Sequence, residues 1–140
     1  MRTVLITGAS GGLAQEMVKL LPDDQLILLG RNKEKLAQLY GNHPQAELIE
    51  IDITDVQAIE ELVAELYQRY GKIDVLINNA GYGIFEDFDK ISDQDIHQMF
   101  EVNTFALMNL SRLVAFRMKD IRKGHIINIV SMAGLIATGQ

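Results

Sequence analysis

Short apolar runs alternate along this chain with longer stretches of helical period. The runs at 3–7 (TVLIT), 25–29 (QLILL), 46–51 (AELIEI), 73–77 (IDVLI) and 125–130 (HIINIV) are mostly apolar on both alternating sets, as strands covered on both faces are. Between them, apolar residues recur every three or four positions. Leu13, Met17, Val18 and Leu21 form one stripe; Val56, Ile59, Val63, Leu66 and Tyr70 form another, leaving Glu60, Glu61 and Glu65 for solvent. A short helix is predicted over 33–40 behind an Asn32 N-cap, and Gly41 and Gly71 read as helix stops. Thr54 with Gln57, and Ser92 with Asp95, read as capping boxes. The second box opens a stripe through Ile96, Met99, Phe100, Asn103, Leu107, Leu110, Val114, Met118 and Ile121, long enough that a bend or break is expected within it.

Strand followed by helix, with no hairpin signal, requires crossover connections, and these are right-handed. The expected fold is α/β, a doubly wound parallel sheet in the order 3-2-1-4-5, as one domain over residues 1–140 that ends after its fifth strand. Composition agrees: 48% of the residues are hydrophobic, 23% are charged and only two are proline, which is globular rather than linker-like. The net charge of -6 argues against a nucleic-acid partner, which would be met by clustered Lys and Arg. With no cysteine there is no disulfide framework and no thiolate chemistry, which fits a reducing compartment. The apolar run near the N-terminus is only Val4, Leu5 and Ile6, and no run approaches membrane-spanning length. A cytoplasmic protein without a membrane partner is expected.

Candidate chemistry lies where strands end. Gly8, Gly12 and Ala14 make a G-x-x-x-G-x-A pattern between the first strand and the first helix. Glycine there permits a tight turn and lets backbone approach a pyrophosphate, whose charge meets the helix N-terminus; the alternative is a glycine-rich turn with no ligand. A Walker A loop is excluded, because no Gly-Lys-Ser/Thr follows. At the end of the second strand, where NAD-binding folds place an acid for the ribose hydroxyls, stand Gly30 and Arg31. An arginine fork can grip a 2′-phosphate that a carboxylate would repel, which favours NADP(H) over NAD(H); a surface arginine before a helix cap is the other possibility. Asp52, after the third strand, either meets an adenine amino group or caps the next helix. Two successive asparagines, Asn78 and Asn79, need satisfied amides if buried, and Asn79, Ala80 and Gly81 could pass polar groups along a flat ligand. Asn103, within an apolar stripe, is either a hydrogen-bonding post or a catalytic group, and Ser131 is either a strand-end turn or a reactive-site residue. The Gly8 turn, the Asn79 segment and Ser131 all follow strands, so they converge on the carboxyl edge of one sheet, where the ligand crevice of such a fold opens.

In order and approximate spacing, TGASGGLA, DITD, NNAG, EVN ending at Asn103, and GHIINIVSMAG resemble the short-chain dehydrogenases/reductases over Thr3 to Gly134, as an N-terminal portion with a Rossmann-like fold. The resemblance implies an oxidoreductase moving a hydride between NADP(H) and a carbonyl or secondary alcohol, acting as a homodimer or homotetramer. It implies Gly8, Ser10, Gly11, Gly12 and Leu13 at the pyrophosphate, and Arg31 with Asn32 at the 2′-phosphate. Asp52 and Ile53 would lie along the adenine, and Asn79, Ala80 and Gly81 along the nicotinamide ribose. Asn103 would organise a proton-relay water, and Ser131 would bind the substrate oxygen. The family's remaining catalytic pair is a Tyr-x-x-x-Lys motif, and none of the four tyrosines here fits it: Tyr40, Tyr67, Tyr70 and Tyr82 are followed at the fourth position by Pro44, Gly71, Asp74 and Glu86. The expectation is an enzyme whose proton donor follows beyond Gln140, so that the 140 residues alone are inactive. The HIINIV strand would then be an unprotected apolar edge, prone to association. A non-catalytic NADP(H)-binding sensor or scaffold is the alternative; a methyltransferase is disfavoured, because such enzymes usually want an acid where Gly30 and Arg31 stand. Tyr82 and Phe85 are candidate pocket walls.

Overall fold

The computed structural model describes residues 1–79 and 92–129, apart from the side chains of residues 99, 100, 103, 128 and 129. Strands and helices alternate: β1 (Thr3–Ile6), α1 (Gly12–Lys19), β2 (Gln25–Gly30), α2 (Lys33–Tyr40), β3 (Ala46–Glu50), α3 (Val56–Tyr70), β4 (Val75–Asn79), α4 (Asp93–Ile121) and β5 (His125–Ile129). The strands form one sheet in the expected order, β3-β2-β1-β4-β5, and every pairing is parallel. Leu5 of β1 lies between Ile27 of β2 and Leu76 of β4.

Alternation along these strands feeds two cores. Leu5, Ile27, Leu29 and Leu76 face one side, where Ile59, Leu62, Val63 and Leu66 of α3 and Leu110, Val114 and Met118 of α4 cover them. Val4, Ile6, Leu26, Leu28 and Ile77 face the other, against Ala14 and Val18 of α1 and Leu36 and Tyr40 of α2. Strands buried on both faces need both residue sets apolar, and burying each such side chain contributes roughly 1.5–3 kcal/mol.

Several boundaries differ from the sequence-based expectation, each for a local reason. β4 runs two residues later than expected and takes in Asn78 and Asn79, which are buried; its approach is fixed by the Asp74 carboxylate, which accepts the Thr3 amide at 2.7 Å. The cap of α3 is Asp55, accepting the Ala58 amide at 3.1 Å, because Thr54 is turned toward Asp52. Gly41 closes α2 with an ordinary right-handed φ of -59, whereas Gly71 closes α3 at φ 78, left-handed as a glycine stop should be. Of the bend or break expected in α4, the break does not occur: the helix is continuous for 29 residues behind its Ser92 cap, about 43 Å of helix at ~1.5 Å per residue. Leu13, Val56 and Ile121 are exposed rather than buried, since each sits in the terminal turn of its helix, outside the two cores. Among the described residues no helix is long and apolar enough to cross a membrane.

Candidate functional site

β1 delivers the chain into a turn whose donors and acceptors can be followed atom by atom. Thr7 is fully buried; its amide donates to the Ile77 carbonyl at 3.0 Å, and its hydroxyl accepts the Asn79 amide at 3.0 Å. Gly8 then adopts φ 59, the left-handed region where a Cβ would be strained. The next three carbonyls all meet protein donors. That of Gly8 accepts the Gly11 amide at 3.2 Å and the Asn79 side-chain amide at 3.3 Å. That of Ala9 accepts the Tyr40 hydroxyl at 2.6 Å, and that of Ser10 accepts from the Gln15 side chain at 3.4 Å. A turn with its carbonyls directed into the protein presents the opposite polarity outward.

The helix that follows completes this polarity. Asn32, Asp55 and Ser92 each cap their helix with a side-chain oxygen, but α1 begins at Gly11 with no side-chain cap and with no acid in its first turn. Its terminal N–H groups and the positive end of its dipole therefore suit an anion. Among the described residues a Cβ built on Gly12 would meet nothing within 4 Å, and Leu13 is exposed beside it, so packing among these residues does not require the glycine. Ala14 is fully buried against the sheet, which shows that a methyl is accommodated at the third position of the motif.

At the neighbouring strand ends, Gly30 closes β2 with Leu36 3.1 Å from where its Cβ would stand. Arg31 follows, largely exposed, with its guanidinium 3.8 Å from the Asp52 carboxylate. Asn32 is committed through its side-chain oxygen to the Lys35 amide at 3.1 Å; its amide nitrogen is the part of that side chain suited to a phosphate. Asp52 accepts both the amide of Thr54 at 3.0 Å and its hydroxyl at 2.7 Å. These two bonds hold its carboxyl below the usual range, with Arg31 adding to the effect. Asp52 thus holds the turn that leads into α3 without capping that helix, a role that falls to Asp55, and Ile53 is half-buried against the α3–α4 core.

The sheet brings the Gly8–Leu13 turn and Asn79 together at the carboxyl ends of adjacent strands, and Arg31, Asn32 and Asp52 to the carboxyl ends of β2 and β3. Asn79 lies inside β4 rather than in a loop, and its amide stitches that strand to the glycine turn. Its neighbour Asn78 donates to the Ser111 hydroxyl at 2.8 Å, which ties β4 to α4. Ala80, Gly81 and Ser131 lie outside the described residues, as do Tyr82, Phe85 and the side chain of Asn103. Sequence reasoning missed three groups that bear on the site: Thr7, Tyr40 and Glu50, whose carboxylate accepts the Lys33 amide at 2.9 Å. Only Thr7, a polar residue closing an apolar strand beside the glycines, carried a signal.

The chain matches the family model described as short chain dehydrogenase over residues 2–140. It is similar to the uncharacterized oxidoreductase SSP1627 of Staphylococcus saprophyticus, 33% identical over 137 residues that cover 95% of this chain and 56% of that protein. It is also similar to the ketoacyl reductase HetN of a Nostoc species, 35% identical over 139 residues, 95% of this chain and 48% of that protein. Among solved structures, a metagenomic short-chain oxidoreductase in complex with NADP superposes with a TM-score of 0.78 at 29% identity, covering 93% of this chain and 62% of that one. The chain spans about half the length of the curated relatives it matches. With its glycine turn set against α1 at the rim of a 3-2-1-4-5 sheet and a family match across 2–140, this chain belongs to the short-chain dehydrogenase/reductase family.

Proposed function

We propose that the protein binds NADP(H) along the carboxyl rim of the sheet and serves an oxidoreductase acting on a small carbonyl or secondary alcohol. The observation that carries this is the first turn: three carbonyls held by protein donors, Gly12 with nothing among the described residues where its Cβ would project, and a helix end without a side-chain cap. Gly8, Ser10, Gly11, Gly12 and Leu13 would hold the pyrophosphate, Arg31 and Asn32 the 2′-phosphate, Asp52 and Ile53 the adenine, and Asn79, Ala80 and Gly81 the nicotinamide ribose. The NADP held by a similar structure and the ketone-reducing name of a relative support this cofactor and substrate class. Bound there, the nicotinamide would supply a hydride to the carbonyl carbon as a proton reaches its oxygen, or the reverse.

On this reading Ser131 hydrogen-bonds the substrate oxygen and Asn103 orders a water on the proton path. The proton donor itself is not assigned to any of these 140 residues, because no tyrosine has a lysine four positions on. The 140-residue chain therefore binds the dinucleotide without turning substrate over. A second reading is a non-catalytic NADP(H) module acting as sensor or scaffold, which would bind through the same glycine turn. Cytoplasmic localisation and a homo-oligomeric state complete the proposal.

Titration by dinucleotide fluorescence tests it. NADPH should bind at least about tenfold tighter than NADH, a difference of ~1.4 kcal/mol, and S-adenosylmethionine should not bind. Equal affinity for both dinucleotides overturns the role given to Arg31, and no binding of either overturns the site. Ketone-dependent NADPH oxidation by the full gene product separates the enzyme from the module.

A further inference from the structure

The end of β3 places a carboxylate where the proposed 2′-phosphate subsite needs positive charge. Glu50 lies opposite Gly30 in the parallel register, and its side chain reaches across to the start of α2, where it accepts the Lys33 amide at 2.9 Å. Lys33 is the first residue of that helix, so its N–H is one of the donors a helix N-terminus offers to an anion. Asn32 takes the Lys35 amide. Asp52 is a second carboxylate at this edge of the sheet, 3.8 Å from the Arg31 guanidinium. A phosphate arriving at Arg31 therefore meets one cation already facing Asp52 and a helix end already serving Glu50.

We propose that Glu50 is a specificity-determining residue that holds down the preference for a 2′-phosphate conferred by Arg31. The proposal rests on the dinucleotide-binding reading above and adds to it the residue that sets the ratio between two cofactors. The chemistry is asymmetric. A ribose 2′-hydroxyl can donate to a carboxylate, whereas a 2′-phosphate is itself an acceptor with close to two negative charges and must either displace Glu50 or sit against it. Glu50 thus penalises NADP(H) and tolerates NAD(H), and removing its charge should widen the gap.

The test compares Glu50→Gln and Glu50→Ala with the parent chain, using NADPH and NADH as one pair of probes and adenosine 2′,5′-bisphosphate and AMP as another. Gln keeps an acceptor for the Lys33 amide and loses only the charge; Ala loses both. In each variant the affinity for the 2′-phosphorylated member should rise about three- to tenfold, the other member should change less than about twofold, and the effect should shrink as salt screens the repulsion. Ratios unchanged from the parent, with all four probes binding, overturn the proposal. So does an equal loss for both members of each pair, which would make Glu50 structural. If no dinucleotide binds the parent chain, the underlying reading fails instead, and this proposal falls with it.

Discussion

Gly12 opens α1, and among the described residues nothing stands where its Cβ would project, which separates folding from binding at a single residue. Alanine is a better helix former than glycine by roughly 0.5–1 kcal/mol. Gly12→Ala should therefore melt at the same temperature or slightly higher, while NADPH binds about tenfold or more weakly because the methyl occupies ligand space; melting and titration on one sample check both. Gly8 behaves oppositely: at φ 59 a side chain costs ~1–2 kcal/mol, so Gly8→Ala should lower stability as well as affinity. Asp52 gives a pH dependence. Its carboxyl is held low by the Thr54 amide and hydroxyl, so the stabilisation is fully present above its unfolded value of about 4 and is lost as pH falls through the lower folded one. Thermal melts of Asp52→Asn between about pH 5 and pH 3 should show a shallower acid-side decline than the parent. At this scale the strand-end placement of the glycines, Arg31 and Asp52 was legible, because the apolar runs before them mark where the strands end. Tyr40 and Glu50 were not, because each acts through a partner distant in sequence, Ala9 and Lys33.

Among the elements, α2 is short but braced at both ends of the site: Asn32 and Glu50 serve its first turn, and Tyr40, its last residue, reaches the glycine turn. Tyr40 is buried, and burial pushes its hydroxyl pKa up, so it stays a donor through neutral pH. Tyr40→Phe leaves the buried Ala9 carbonyl without that donor and should cost about 1–3 kcal/mol, read from urea unfolding; affinity for NADPH should fall more than that for adenosine, which carries no phosphate to meet the turn. Strand and helix types were readable from period because the central strands, β1, β2 and β4, are covered on both faces. The end of β4 was not: two asparagines look like loop until their partners, the Ser111 hydroxyl and the Gly8 carbonyl, are seen to satisfy them inside the core. The break expected in α4 rested on the length of its stripe, which does not by itself interrupt a helix. Its apolar residues lie on two faces, and Phe105, Met108 and Phe116, at 64%, 66% and 67% exposure, contribute nothing to the core stripe.

At the scale of the whole molecule, crossover handedness gave a doubly wound parallel sheet and the Rossmann-like pattern gave its order, whereas the surfaces left open were not legible. Among the described strands β5 pairs only with β4, and Ile127 on it is 47% exposed. With the apolar outer face of α4, this gives the 140-residue chain two surfaces that favour association. Size-exclusion chromatography should show concentration-dependent oligomers or aggregates, and Phe105→Glu with Phe116→Glu should shift the profile toward monomer; a monomer in the parent chain at all concentrations would contradict this. One further consequence follows from Asn79. The glycine turn is made within the first dozen residues, yet the amide that steadies its Gly8 carbonyl stands 71 positions later. Closing so long a loop is slow compared with winding α1 or α2, so during synthesis the nucleotide cradle is assembled only after most of the sheet has emerged. A ribosome-bound chain stalled before β4 leaves the exit tunnel should be blind to NADPH, and one stalled well after it should be protected by the same ligand from protease.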